Sequence, residues 1–224
     1  MAVLDNDTRK RLIDLSSTNL SDAMDAMGVS GATCGIRPLM ERWDKIVGEA
    51  VTMRLVPSGT IPQKTHLGVH AIEAAEEGDV IVIDNDGRTD SSCWGGILAN
   101  GAKMKGISGV VIDGCCRDLD DCVASDFPVF ARGTVVCTAR GRVVEESVQE
   151  EITFGGVTVH PGDIIVGDRS GVVVIPKEKH KEILEKAEEF YEKEESMIRD
   201  LRGGMSMQEV DDKYNYNAML KKEG

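Results

Sequence analysis

Residues 94–121 read WGGILANGAKMKGISGVVIDGCCRDLDD, and this stretch predicts the fold of the whole chain. It opens with a pair of glycines and continues as a short helical segment. Residues 109–113 are rich in β-branched side chains, too few for a helix and bounded by glycines, which is typical of a buried strand. Arg117 and Asp118 follow that strand directly, and α/β sheets commonly carry binding sites at the carboxyl ends of their strands. The sequence therefore predicts a functional site at the end of this strand.

Length and charge narrow the classes of function. The 224 residues suffice for one domain with a sizeable core. Lys and Arg number 26 against 39 Asp and Glu, and the resulting net charge of −13 argues against a nucleic-acid partner held through phosphates. No apolar run approaches the ~18 residues of a membrane span, and the first residues lack the pattern of a signal peptide. We therefore expect a cytoplasmic protein with no membrane or nucleic-acid partner.

Apolar periodicity divides the chain into helices and strands. Helices are predicted at residues 7–15, 19–27, 64–77, 93–105 after the glycine-rich start, 118–125 and 178–201. Strands are predicted at residues 48–57, 79–84, 109–113 and 127–132, followed by hairpins around 154–157 and at 161–176, with a polar loop at 85–92. Ser21 or Asn19 is predicted to cap the second helix, and Ser206 a last short one. Strand–helix alternation that gives way to a β-rich second half predicts a layered α/β domain rather than a doubly wound sheet.

The residues around the glycine pair support anion and metal chemistry. Gly95 and Gly96 at a helix start can expose backbone N–H groups, which with the helix dipole form a site for a carboxylate; a mere tight turn is the alternative. Arg117 supplies a planar cation suited to a carboxylate or enolate oxygen. Asp118 is the hard oxygen ligand that Mg²⁺ prefers, although a surface ion pair with Arg117 is the alternative.

The spacing of these residues resembles a known signature. Gly96, twenty intervening residues, Arg117-Asp118, two residues and Asp121 resemble the motif of the 4-hydroxy-4-methyl-2-oxoglutarate aldolases. The fold of these enzymes is shared with the regulator of ribonuclease activity A. The likeness extends to the strand at 78–84 and the hairpin at 161–176, and covers about residues 10–205 of a single domain, leaving 206–224 as a tail. It implies a layered α/β/β sandwich of the swivelling-domain type, with N-terminal helices and a long C-terminal helix.

The resemblance also implies an activity. It points to a class II aldolase, dependent on Mg²⁺ or Mn²⁺, that cleaves a 4-hydroxy-2-oxo acid such as 4-hydroxy-4-methyl-2-oxoglutarate to pyruvate and also decarboxylates oxaloacetate. Asp118 would hold the metal, Arg117 would stabilise the enolate, and Asp121 would have an outer role. The residues implied to bind the 2-oxo acid substrate are Gly95, Gly96, Ile97, Leu98 and Arg117.

Glu194 is the remaining predicted catalytic residue. It falls near the centre of the apolar stripe of helix 178–201, where an acid is either a paired structural group or a site residue. Members of the family assemble as trimers or dimers of trimers with sites between subunits, and a glutamate reaches across from the C-terminal helix. The resemblance therefore implies a homotrimer or homohexamer in which Glu194 completes a neighbour's site.

Several alternatives stay open. A non-catalytic regulator that binds and inhibits a ribonuclease is the main rival, and a methyltransferase is disfavoured because no S-adenosylmethionine-type glycine-rich turn is found. His66 and His70 lie four residues apart and could bind a metal, but packing or surface roles are favoured. The pocket for the second half of the substrate is predicted in the loops at 33–38 and 58–66.

Overall fold

The computed structural model describes residues 4–43, 45–59 and 65–215 of the chain. Its helices are α1 Asn6–Asp14, α2 Ser17–Ala26, α3 Val69–Ala74, α4 Gly96–Met104, α5 Leu119–Ala124, α6 His180–Arg202 and α7 Met207–Tyr214. Its strands are β1 Arg37–Pro38, β2 Lys45–Pro57, β3 Val80–Trp94, β4 Gly109–Cys116, β5 Val129–Thr134, β6 Val143–Val148, β7 Ile152–Phe154, β8 Val157–Val159, β9 Ile164–Asp168 and β10 Gly171–Ile175. Within these described residues, no helix combines the length and the apolar character needed to cross a membrane.

One long strand, β2, joins the two halves of a sheet that nearly closes on itself. Residues 45–49 of β2 pair antiparallel with β9, and residues 50–54 pair parallel with β3. The strand order is β1-β5-β4-β3-β2-β9-β10, with β6 paired to β2 and the β7-β8 hairpin separate. A bridge between Ala32 and Val173 brings the segment before β1 back to β10, so the two ends of the sheet almost meet.

Side chains alternate between the two faces of this sheet, as strand geometry requires. On β3, Ile81 packs in the cluster that contains α3, α4 and α5, whereas Val80 points into the space that the sheet encloses. On β9, Val166 packs against α1, α2 and α6, whereas Ile165 points into the enclosed space. The predicted α/β/β sandwich is therefore confirmed, and the terminal helices cover its second half as a further layer.

The prediction of a polar loop at residues 85–92 is wrong, because β3 continues to Trp94. Asp86 and Gly87 take left-handed conformations, with φ of 54° and 66°, and bend the strand. Pairing with β4 then resumes with irregular register, ending with Trp94 opposite Cys116. Backbone hydrogen bonds stabilise this extension without any apolar alternation, so the sequence pattern could not reveal it. The extension matters for function because it carries residue 95 to the end of β4.

Two helix predictions need smaller corrections. The cap of α2 is Ser16, whose side chain accepts from the backbone N–H of Asn19 while the Asn19 side chain accepts from that of Ser16. Helix α3 begins only after Gly68, which is left-handed at φ 81°, so His66 precedes the helix. Residue 64, the predicted start, lies outside the described residues.

The C-terminal predictions agree better with the structure. The long helix α6 is confirmed, as is the Ser206 cap of α7. The described part of the predicted tail packs on α6, where the Tyr214 hydroxyl at the end of α7 donates to Asp200 at 2.7 Å. Residues 216–224 lie outside the described part of the chain.

Candidate active site

The N-terminus of α4 packs directly on the segment that follows β4. The backbone N–H of Arg117 donates to the carbonyl of Trp94 at 2.9 Å, which fixes this segment beside the helix start. A Cβ on Gly95 would lie 2.7 Å from a carboxylate oxygen of Asp118, and one on Gly96 would lie 2.5 Å from the Cβ of Asp121. Gly95 has an extended backbone that any residue can adopt, at φ −162°. Both glycines are therefore required for close approach and not for an unusual backbone conformation.

Asp118 is held at this junction by three features. It takes a left-handed conformation at φ 52°, which Asp tolerates better than most residues, and thereby turns the chain from β4 into α5. Arg117 Nε lies 3.1 Å from each of its carboxylate oxygens. The backbone N–H of Gly96 donates to Oδ2 at 3.4 Å. The Arg117 and Asp118 side chains remain 38% and 35% exposed, so the pair can still reach a ligand.

A cleft of about 610 Å³ opens in front of this pair. Its wall combines apolar side chains with three basic ones, His66, Arg117 and Arg140. The described residues lining it are Thr65, His66, Leu67, Ser92, Cys93, Trp94, Gly95, Ile97, Leu98, Arg117, Asp118, Thr138, Ala139 and Arg140. Two arginines and a helix N-terminus in one small cleft favour an anionic ligand.

Most of the predicted site residues come together here. Those that line the cleft are Gly95, Ile97, Leu98, Arg117 and Asp118. Gly96 is buried directly behind them, and Asp121 is exposed beside Gly96 outside the lining. The geometry thus assembles the motif in one place, and the chemical role of each residue remains a prediction.

Glu194 lies elsewhere, on the face of α6 that packs against α2. The side-chain amide of Asn19 donates to its Oε2 at 2.7 Å. Burial raises the pKa of the neighbouring Asp22 carboxyl, and the nearby charges of Glu194 and Asp25 raise it further. Glu194 does not line the described cleft of its own protomer, so its participation in a neighbour's site stays a prediction.

Sequence reasoning found only part of the remaining cleft wall. The predicted loop at 58–66 supplies Thr65 and His66 to the cleft. In the other predicted loop, the Thr33 hydroxyl donates a hydrogen bond to the carbonyl of Val172 on β10. No pattern in the sequence indicated Arg140, because its segment is held at the cleft by a hydrogen bond from a strand distant in sequence. The backbone N–H of Ser92 donates to the carbonyl of Cys137 at 3.0 Å and anchors that segment.

The described residues offer no preformed multidentate metal centre. No group of three or more His, Cys, Asp or Glu among them could hold an ion. His70 instead pairs with Glu145 at 2.5 Å, and His66 Nδ1 lies 3.0 Å from the carbonyl of Leu67. His70 thus has the surface role that was favoured for it, whereas His66 lies on the wall of the cleft. A metal at the motif would rest on Asp118, with water and substrate as its other ligands.

The amino groups of Lys103, in α4, and of Lys105, which caps its end, are engaged by backbone carbonyls. Lys105 Nζ donates to the carbonyls of Ile72 and Glu73, each at 2.7 Å, and Lys103 Nζ donates to that of Asp126 at 2.9 Å. No lysine appears among the described residues that line the cleft.

Fold and site together define a class of protein: a curled α/β sandwich with a glycine-started helix facing an Arg-Asp pair. Residues 17–174 match the RraA-like family, described as Aldolase/RraA. The chain belongs to this family, as the motif resemblance predicted.

Individual relatives agree with this assignment. A protein of Halalkalibacterium halodurans, provisionally named 4-hydroxy-4-methyl-2-oxoglutarate aldolase, is 36% identical over 185 residues, which cover 83% of this chain and 84% of that protein. The protein DlpA of Legionella pneumophila is 33% identical over 207 residues and 92% of this chain, but the chain spans only 34% of its length. Among solved structures, Streptomyces coelicolor RraAS2, described as an unusual member of the RNase ES inhibitor RraA family, superimposes with a TM-score of 0.77 at 26% identity, over 86% of this chain and 96% of that one.

Proposed function

We propose that this protein is a divalent-metal-dependent aldolase that cleaves a 4-hydroxy-2-oxo acid, such as 4-hydroxy-4-methyl-2-oxoglutarate, to pyruvate. Oxaloacetate decarboxylation is the proposed side activity, because it passes through the same enolate. The observation that carries the proposal is the cleft in which the start of α4 meets Arg117 and Asp118. Relatives named as aldolases support the same reaction class.

The start of α4 would hold the substrate carboxylate. The first N–H groups of a helix have no partner within the helix, and the helix dipole makes them favourable for an anion. The Gly96 N–H is directed at Asp118, which leaves the N–H groups of Ile97 and Leu98 in the first turn for a ligand. Ile97 and Leu98 therefore bind through their backbone, while their side chains form the adjacent apolar wall.

Arg117 would stabilise the enolate that develops as the carbon–carbon bond breaks. Its guanidinium is fixed from one side by the Asp118 carboxylate, so it needs little reorganisation during the reaction. A planar fork of donors also suits the adjacent keto and carboxylate oxygens of a 2-oxo acid.

Asp118 is the carboxylate that would hold Mg²⁺ or Mn²⁺. A single carboxylate that is 35% exposed on a cleft fits an ion that keeps most of its water, as Mg²⁺ commonly does. When bound, such an ion supplies Lewis-acid stabilisation of the substrate oxygens. Asp121, in the first turn of α5 and packed against Gly96, is proposed to have an outer role, orienting Arg117 or the water around the metal.

The assembly is part of the proposal. We propose a homotrimer or homohexamer with sites at subunit interfaces, in which Glu194 of one subunit faces the cleft of the next. The partly buried position of Glu194 beside Asn19 is compatible with this role and with a purely structural one.

Pyruvate release by the full chain tests the proposal. The protein is stripped with a chelator and assayed on 4-hydroxy-4-methyl-2-oxoglutarate and on oxaloacetate, with and without added Mg²⁺ or Mn²⁺. We expect turnover of both substrates that depends on the added ion. A protein that releases pyruvate from neither substrate at saturating metal would overturn the aldolase assignment.

A non-catalytic ribonuclease regulator is the second candidate. Its support is the net charge of −13, which suits docking to a basic surface, together with the structural likeness to a member of a ribonuclease-inhibitor family. Inhibition of a ribonuclease of that type by the wild-type chain and equally by Asp118→Ala, with no pyruvate release, would favour this candidate over the enzyme.

A further inference from the structure

We infer that His66 is the base that removes the 4-hydroxyl proton of the substrate, an inference that rests on the proposed aldolase function. His66 is exposed and forms part of the wall of the same cleft as Arg117 and Asp118. It lies just before α3, because left-handed Gly68 delays the start of that helix. The cleft therefore contains an imidazole in addition to the residues of the Gly-Arg-Asp motif.

A local hydrogen bond fixes which ring nitrogen is free. His66 Nδ1 lies 3.0 Å from the backbone carbonyl of Leu67. A carbonyl oxygen can only accept, so Nδ1 must carry the hydrogen. In the neutral ring the lone pair then belongs to Nε2, which makes Nε2 the basic atom.

Elimination among the described lining residues points to the same group. The other titratable ones are Cys93, Arg117, Asp118 and Arg140. Arginine is always protonated and cannot act as a base. Burial raises the pKa of the Cys93 thiol, and this thiol donates to the carbonyl of Cys115 at 3.6 Å. The Asp118 carboxylate is engaged by Arg117 and the Gly96 N–H.

The step balances with no further reactant. His66 Nε2 takes the proton of the 4-hydroxyl, the C4–O bond becomes a carbonyl, and the C3–C4 bond breaks. Its electron pair forms the enolate of pyruvate. The imidazolium releases its proton to solvent, and C3 takes one from solvent, so the products are pyruvate and a carbonyl compound with no net change in protons.

Two reactions of the same site separate this role from a general defect. Aldol cleavage requires removal of the hydroxyl proton, whereas decarboxylation of oxaloacetate expels CO₂ from a group that is already ionised. His66→Asn keeps an N–H near the position of Nδ1, and His66→Gln places an amide near that of Nε2. His70→Gln is the matched control, because His70 is also exposed but does not line the described cleft.

For both His66 variants we expect kcat for cleavage of 4-hydroxy-4-methyl-2-oxoglutarate to fall about 10²- to 10⁴-fold, the usual contribution of a general base. Decarboxylation of oxaloacetate should fall less than about tenfold, since binding and enolate stabilisation remain. His70→Gln should leave both rates near those of the wild type.

Each other outcome is informative. Full cleavage activity in His66→Asn or His66→Gln overturns the inference, and so does an equal loss of both reactions, which indicates a role in binding or local structure. Neither of these results touches the proposed aldolase. A wild-type protein that performs neither reaction refutes the proposed function, and the inference falls with it.

Discussion

Two glycines of α4, Gly96 and Gly101, and Gly95 just before it allow the packing of the site to be tested with one type of substitution. Alanine at Gly95 would bring a Cβ to 2.7 Å from Asp118 Oδ2 and 3.2 Å from Arg117 Cγ. Alanine at Gly96 would meet the Cβ of Asp121 at 2.5 Å. Alanine at Gly101 would meet only the end of Ile72, at an ordinary 3.9 Å. The same added methyl group should thus have three different effects.

The magnitudes follow from what each methyl group meets. Gly96→Ala presses on an atom fixed to the α5 backbone, so overpacking should cost about 1–3 kcal/mol of stability. Gly95→Ala displaces a partly exposed ion pair, and such pairs contribute at most about 1 kcal/mol, so stability should change little. Gly101→Ala removes a helix-interior glycine and should stabilise by about 0.5–1 kcal/mol. In a domain of this size each kcal/mol corresponds to about 2–4 °C in Tm.

Activity should follow a different order from stability. Gly95→Ala moves Asp118 relative to Arg117, and a displacement of about 1 Å in a site can reduce turnover on the order of 10²-fold. Gly101→Ala should retain full activity and serves as the control.

Thermal melts and metal-dependent pyruvate release on the three purified variants provide the comparison. Wild-type turnover in Gly95→Ala would show that the contact between α4 and Asp118 is irrelevant to function. An unchanged Tm in Gly96→Ala would refute the packing argument itself.

Three further predictions concern the motif and the assembly. Asp118→Ala should remain folded, because a surface carboxylate contributes little to the core, yet lose metal binding by calorimetry and all pyruvate release; retained Mg²⁺-dependent turnover would contradict its role as ligand. Arg117→Lys keeps the charge but loses the planar fork, so kcat should fall about 10²-fold or more, and near-full activity would make Arg117 structural. Glu194→Gln should reduce turnover while leaving substrate affinity nearly intact if it faces a neighbour's cleft. Mixing it with Asp118→Ala should then restore part of the activity once mass spectrometry shows subunit exchange. Exchange without recovery would return Glu194 to a structural role beside Asn19.

The candidate site was predictable to the extent that it is local in sequence. Gly96 and Arg117 are linked by one helix and one strand, α4 and β4, whose lengths fix their spacing, so a spaced motif could identify them. The close approach itself was not predictable. That the Cβ position of Gly95 falls 2.7 Å from the Asp118 carboxylate depends on how α4 packs on the turn after β4.

The sequence alone determined the elements in which a repeating physical pattern acts on neighbouring residues. A short run of β-branched side chains bounded by glycines predicted β4, because such a run fits a strand buried on both faces. The apolar stripe from Ile183 to Leu201 predicted α6, because burial of one helix face requires that period. The Ser206 cap was readable for the same reason, since its hydrogen bonds lie within one turn.

The tertiary structure alone decided where the chain departs from these local patterns. It extended β3 through polar residues to Trp94, because pairing with β4 satisfies the backbone whatever the side chains are. It brought His66 and Arg140 into one cleft, although they are 74 positions apart in the sequence. Contacts between distant segments leave no periodicity in either segment, so Arg140 could be placed in the site only from the folded chain, whereas the loop that carries His66 was predicted.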